Sequence, residues 1–168
     1  LCAMTGTAQD LGRLRGAFCA VDGVEPALGA VVALAEVLCA QPHHVPAEAR
    51  AAYHAAATLA SNGVYALLHA ADHVAAASGI SNGALTRALA ALAVGSAANS
   101  EVLGYASAAT GPVVRGDVAT VRAHLAALST VAPQALPLYR AASMELLAIA
   151  DATGGDPTAA SGMALALS

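Results

Sequence analysis

Polar side chains are few and regularly placed between residues 46 and 78 (PAEARAAYHAAATLASNGVYALLHAADHVAAAS). Arg50, His54, Thr58, Ser61, Asn62, Tyr65, His69 and Asp72 follow one another at steps of mostly three or four. At ~100° per residue they fall within roughly 120° of a helix circumference, as one stripe on one long helix. No proline follows Pro46 within this stretch, and the opposite side is almost wholly Ala, Leu and Val, which predicts burial by close-packed neighbours. A solvent-facing stripe ordinarily carries Lys and Glu. This one carries His, Thr, Ser, Asn and Tyr, with charges only towards its ends. The pattern predicts one wall of a lined cleft; the blander alternative is that His54 simply hydrogen-bonds within a core.

The remaining pattern places the other elements around that helix. Residues 1–16 predict a short extended piece, a turn at Thr5-Gly6-Thr7 and a brief helical turn. The apolar run at 17–21 (AFCAV), bounded by Gly16 and Asp22-Gly23, is short enough for a buried strand. Residues 25–40 predict a helix with Pro26 tolerated near its start. Its expected buried face is Leu28, Val31, Val32, Ala35, Leu38 and Cys39. Residues 41–46 (QPHHVP) are a strand or a connector. Strand, helix and strand in that order suggest the last piece of an α/β sheet.

Three segments follow: 1–45 as the end of an α/β domain with its linker, 46–152 as a helical domain, and 153–168 as a tail. Gly79 suits the C-terminal end of the long helix. Asn82 is placed to cap a second helix, reaching to about residue 104. Residues 105–116 form a loop, and Asp117 is the expected N-cap of a third helix over 118–129. Pro133 opens a fourth, to about residue 152. In the tail, residues 163–167 either pack as a short helix or fray. The predicted fold class is mainly α, a four- or five-helix domain attached to a sheet remnant.

Composition narrows the functional classes. The chain is 58% hydrophobic but only 3% aromatic, with no Trp and one Phe. Leu and Val must therefore supply the bulk, and the many alanines imply closely approaching helices. A mean hydropathy of +0.64 raises the question of a membrane span. The longest uncharged run, 51–71, nevertheless holds two His, a Thr, a Ser and an Asn, which fits a buried helix better. A net charge of -4, with no basic cluster among seven Lys and Arg, argues against nucleic acid as a main partner. Cys2, Cys19 and Cys39 have no CxxC spacing. They are expected to be reduced, mostly buried thiols of a cytoplasmic protein. No signal peptide is visible, and a start at Leu-Cys suggests that residues precede Leu1.

Three groups of residues could carry chemistry. In the stripe, His54 is the candidate general acid or base, because histidine ordinarily titrates near ~6.5. Thr58 and Asn62, one and two turns on, could hold a carbonyl or carboxylate, with Ser61 beside them. Second, Thr110-Gly111-Pro112 with Arg115-Gly116-Asp117 could bind an anion at a helix N-terminus. The plain alternative is a Gly-Pro turn with Asp117 as a cap. Third, Ser96, Asn99, Ser100 and Glu101 either face the same cleft or solvent. His43-His44 has no nearby carboxylate partner, and no HExxH or comparable set exists, so no catalytic metal is expected. With no GxGxxG and no GxxxxGK[ST], any nucleotide must be held largely by residues outside this chain.

The segments AEARAAYHAAATLASN, ATGPVVRGDVATVRAHLAAL and LPLYRAASMELLAIA together resemble a bacterial oxidoreductase-like family. In it a Rossmann-like NAD(P)-binding domain precedes a helical domain of unknown function. The YHxAAxxxSN and TGPxxRGD segments are the more specific part, and the resemblance covers most of residues 1–151. MTGTAQDL resembles the segment joining the two domains, where relatives have a longer HPxMTFTG-like run; the departure at Leu1 to Gly6 suggests truncation. The helical domain is similar to those of ketopantoate reductase, pyrroline-5-carboxylate reductase and the phosphogluconate and β-hydroxyacid dehydrogenases.

In the hydroxyacid and ketopantoate enzymes a Lys on the long helix, with an Asn one turn later, handles the substrate carbonyl. His54 stands at the Lys position here and Thr58 at the Asn position, with Asn62 a further turn on. The resemblance implies reduction of a small keto or imino acid with NADP or NAD. Ketopantoate is the leading substrate expectation, with Arg115 for an anionic group. It also implies a homodimer formed through the helices. The competing expectation is a non-catalytic helical dimerisation module or a degenerate reductase relative.

Overall fold

The computed structural model describes residues 10–80 and 82–168, so Cys2 and the predicted turn at Thr5-Gly6-Thr7 lie outside the described residues. The chain divides into two compact units, residues 1–64 and 65–168. It is mainly helical, with a small two-stranded parallel sheet near its start.

The described part of the first unit contains α1 (Asp10–Leu14), β1 (Phe18–Val21), α2 (Ala27–Val37), β2 (Gln41–His44) and the beginning of α3 (Arg50–Ala77). A single 3-10 turn, Ala47–Ala49, leads into α3. β1 and β2 pair in parallel with Phe18 opposite Gln41 and Val21 opposite His44. The ladder extends at both ends, through Gln41 N to Ala17 O at 2.8 Å and Val45 N to Val21 O at 3.0 Å. Pro42 cannot donate a ladder bond, which is tolerated because two strands make only edges.

Burial in this unit is thinner than the sequence predicts. Of the expected inner face of α2 only Ala35 is buried; Leu28 and Val32 are half-buried, and Val31, Leu38 and Cys39 are exposed. Cys19 is half-buried and Cys39 exposed, so the described thiols are free but not sequestered. The reason is geometric: one short helix beside two four-residue strands offers too little surface to enclose a whole helical face.

Asp22, directly after β1, gathers the ends of the elements. Its carboxylate accepts from the Gly23 amide at 2.8 Å and from the Arg50 guanidinium, and lies 3.4 Å from His44 Nε2. Phe18 stacks on His43 with ring centroids 4.2 Å apart and near-parallel planes, and Tyr53 lies 6.0 Å beyond. The first turn of α3 is thereby fastened to the sheet. His44 does have a carboxylate neighbour, contrary to the sequence expectation. Strand pairing sets His44 beside Val21, and the next residue is Asp22.

The second unit contains the rest of α3, α4 (Gly83–Ala108), α5 (Val118–Val131), α6 (Leu136–Ala152) and α7 (Pro157–Leu167). A 3-10 turn, Pro133–Ala135, precedes α6. The predicted caps are present. Asn82 Oδ1 accepts from the Ala84 and Leu85 amides at 3.0 Å each, and Asp117 caps α5. Asp156 does the same for α7 through Thr158 N at 3.0 Å. α4 runs past its expected end at residue 104, where Gly104 breaks the helical geometry at φ 73° before the helix resumes.

The core of this unit is built by α5, α6 and α7. Val113, Val121, Leu147, Met163 and Leu167 are buried together, and Leu128, Ala132 and Ala135 form a second cluster; Tyr139 packs against both. Met163 and Val121 are fully enclosed, each side chain contributing about 1.5–3 kcal/mol of transfer free energy. The tail therefore packs as a helix, and the Arg140 guanidinium donates to the carbonyls of Leu167, at 2.9 Å, and Ser168.

The apolar side of α3 is not buried as predicted, and α4 is open as well. α3 buries only Ala75 and α4 buries no residue, while Leu59 is 75%, Leu92 68% and Val102 80% exposed. Alanine has little side-chain area with which to draw a neighbour into contact.

Candidate functional site

Helix α3 forms because its sequence is rich in alanine and free of proline, and because its start is held to the sheet by Asp22. On its first four turns His54, Ser61 and Asn62 are exposed and Thr58 is half-buried, all on one face. Spacings of three and four make these side chains neighbours, with about 5–6 Å between Cβ atoms. Among the described residues none of the four has a hydrogen-bond partner for its side chain, so their donors and acceptors are open to a ligand. Arg50, at the head of the stripe, is engaged by Asp22. The stripe continues into the second unit with Tyr65 exposed, His69 packed edge-on against His73 at 4.6 Å, and Asp72 accepting from Thr86 Oγ1 at 3.1 Å.

The loop before α5 is a compact set of turns. Arg115 N bonds to Gly111 O at 3.1 Å, Gly116 N to Val113 O at 3.1 Å, and Asp117 N to Pro112 O at 2.8 Å. Val113, 4% exposed, anchors the loop in the core. Both oxygens of Asp117 are used locally: one accepts from Thr120 N at 3.0 Å, the other from Thr120 Oγ1 at 2.7 Å. These two bonds, aided by the charges of Arg115 and His124 and opposed by partial burial, hold the Asp117 carboxyl below its ordinary value. Asp117 is thus the cap of α5, while Thr110 and Arg115 remain exposed. Arg115 borders a small hollow of about 70 Å³ that also includes Asp151 and Asp156. His54, Thr58, Ser61 and Asn62 belong to the first unit; Thr110, Arg115 and Asp117 belong to the second.

Sequence reasoning missed a larger space in the second unit. An apolar cavity of about 430 Å³ lies between the end of α3, the start of α4, α5 and α6, with Val74, Ile80, Leu85, Leu89 and Leu128 on its walls. Its polar side chains are Ser78, which donates to Val74 O at 2.8 Å, and the pair His124 Nδ1 and Tyr139 OH, 2.9 Å apart. Burial pushes the Tyr139 hydroxyl up from its ordinary value, against the hydrogen bond with Ser143 that draws it down. His124 and Tyr139 stand 15 residues apart on different helices, and only the packing of α5 on α6 joins them. No local spacing in the sequence carries that signal. The polar group late in α4 is largely exposed, with Ser100 Oγ bonded to Ser96 O at 2.9 Å.

The β1–α2 turn does not suit a nucleotide pyrophosphate. Its helix N-terminus is occupied by the Glu25 carboxylate, which accepts from Gly29 N at 3.3 Å. An anionic diphosphate would meet a carboxylate where it needs free amides. Among the described residues no group of three or more His, Cys, Asp or Glu is placed to hold a metal ion, and no helix is long and apolar enough to cross a membrane.

No curated protein and no solved structure matches the chain. Residues 17–146 match a family described as a domain of unknown function, DUF2520. That segment runs from the start of β1 into α6 and includes both the His54 face and the Thr110–Asp117 loop. The chain belongs to the DUF2520 family.

Proposed function

We propose that this chain is the substrate-binding and dimerisation part of an NAD(P)-dependent oxidoreductase that reduces a small keto or imino acid, with ketopantoate as the first substrate to try. The observation that carries this reading is the His54 face of α3, where four polar side chains on a fastened helix have no partner of their own among the described residues. His54 supplies a proton to the substrate's carbonyl oxygen or imine nitrogen. Thr58, Ser61 and Asn62 orient the reacting group with hydroxyl and amide hydrogen bonds. Arg115 and Thr110 offer donors to an anion within their own unit.

The nucleotide is NADP or NAD, held mainly by residues outside this chain, in keeping with the Glu25 carboxylate at the start of α2. Exposed Leu92, Val94, Val102, Leu103 and Tyr105 on α4 support a homodimer formed through the helices, because apolar side chains spread around a helix require a cover. A cytoplasmic location goes with this reading.

The test uses the full-length protein with NADPH and a panel of 2-keto and imino acids. Turnover of one of them, lost in His54→Ala with nucleotide binding retained, supports the assignment. Unchanged turnover in His54→Ala removes His54 from the chemistry. No turnover of any acid favours a non-catalytic dimerisation module.

A further inference from the structure

The chain has six histidines, and the fold treats them differently. His43 is stacked on Phe18, His44 faces Asp22, and His124 shares a hydrogen bond with Tyr139. Among the described residues, His69 and His73 meet only each other. They stand one turn apart on α3, both exposed, with ring centroids 4.6 Å apart and planes inclined at 64°. This i, i+4 spacing is the one that lets two helical imidazoles share a single ion, as in HExxH sites.

We propose that His69 and His73 chelate a divalent first-row transition ion on the surface of α3. Two imidazole nitrogens at about 2.0–2.1 Å are within reach of one ion when the rings already touch and the backbone between them is a rigid helical turn. Water completes the coordination, because no third His, Cys, Asp or Glu among the described residues joins the pair. Asp72 adds a negative charge in the same turn, but its carboxylate is held by Thr86 Oγ1 at 3.1 Å and acts by attraction, not as a ligand. Imidazole-only donors with open positions select borderline ions, so the order expected is Cu(II) tightest, with Ni(II) and Zn(II) weaker. The site is independent of the reductase reading. It shares no residue with the His54 face and requires no substrate.

Calorimetric titration of the full chain with copper, nickel or zinc chloride alone tests it. One ion per chain is expected, and His69→Ala or His73→Ala should each weaken binding by about tenfold or more, while His54→Ala and His124→Ala leave it unchanged. A spacing control keeps the number of histidines: Ala66→His combined with His69→Ala places two exposed imidazoles seven residues apart, about 10.5 Å along the axis and beyond one ion's reach. That double variant should bind as weakly as His69→Ala. The proposal is overturned if the wild-type chain takes up no ion, if either single variant binds as tightly as wild type, or if the spacing control does.

Discussion

Within the second unit, the 26 residues of α4 bury none of their side chains, whereas the 11 residues of α7 bury Met163 and Leu167. Both helices are rich in alanine and apolar side chains, so hydrophobicity alone does not decide which is enclosed. What differs is the surroundings. α7 meets both α5 and α6, with Val113, Val121 and Leu147 waiting at the junction. α4 touches α6 without a comparable cluster, and its large side chains lie all around its circumference, so no single neighbour could cover them. Enclosure thus follows from three elements converging, not from composition.

The comparison breaks first at Met163. Met163→Ala should cost about 2–5 kcal/mol in urea unfolding, since a fully enclosed side chain leaves a cavity that α5 and α6 cannot readily close. A loss below 0.5 kcal/mol would mean that α7 is not part of the core. Gly116→Ala should rank second, at about 1–2 kcal/mol from the left-handed backbone alone. Gly116 sits at φ 70°, and an added Cβ would come within 2.8 Å of the Ala159 Cβ, pushing α7 off the loop.

Asp117→Ala should rank third, removing the α5 cap and lowering stability in the same urea unfolding. Its carboxyl is held below the ordinary value in the folded chain. The stability it gives is therefore present above the unfolded-state pKa and lost as pH falls through the lower folded value. Unfolding curves of wild type and Asp117→Ala should accordingly converge in acid; a difference that persists at the lowest pH would contradict the capping account. The smallest effect belongs to α4. Leu92→Ala, at a position 68% exposed, should change monomer stability by less than about 0.5 kcal/mol. If sedimentation shows Leu92→Asp shifting the chain from dimer to monomer with monomer stability intact, the cover missing from α4 is a second copy. An unchanged sedimentation profile would leave α4 out of any dimer interface.

Much of the backbone was legible because its signals are local. Asn82 and Asp117 announce helix starts through a side chain that bonds two or three residues on, and the AFCAV run, the following helix and QPHHVP give the strand–helix–strand order directly. Burial was less legible. The stripe on α3 was readable as a face, but whether its opposite side is covered depends on other elements. Leu59 and Val64 remain exposed where the pattern predicted an interior. Contacts across long separations were least legible. Asp22 joins His44 and Arg50 only because β1 and β2 pair in one register, and His124 meets Tyr139 only because α5 packs on α6.

The position of Met163 also bears on how the family segment relates to a folding unit. The match ends at residue 146, inside α6, yet the core continues through Leu147, Met163 and Leu167. A fragment cut at that boundary would strip the cover from Val113 and Val121 and present a sticky, half-assembled surface prone to aggregation. The stretch that identifies the family is shorter than the stretch that encloses this core. Experiments on the recognisable segment alone would measure the misbehaviour of a truncated core.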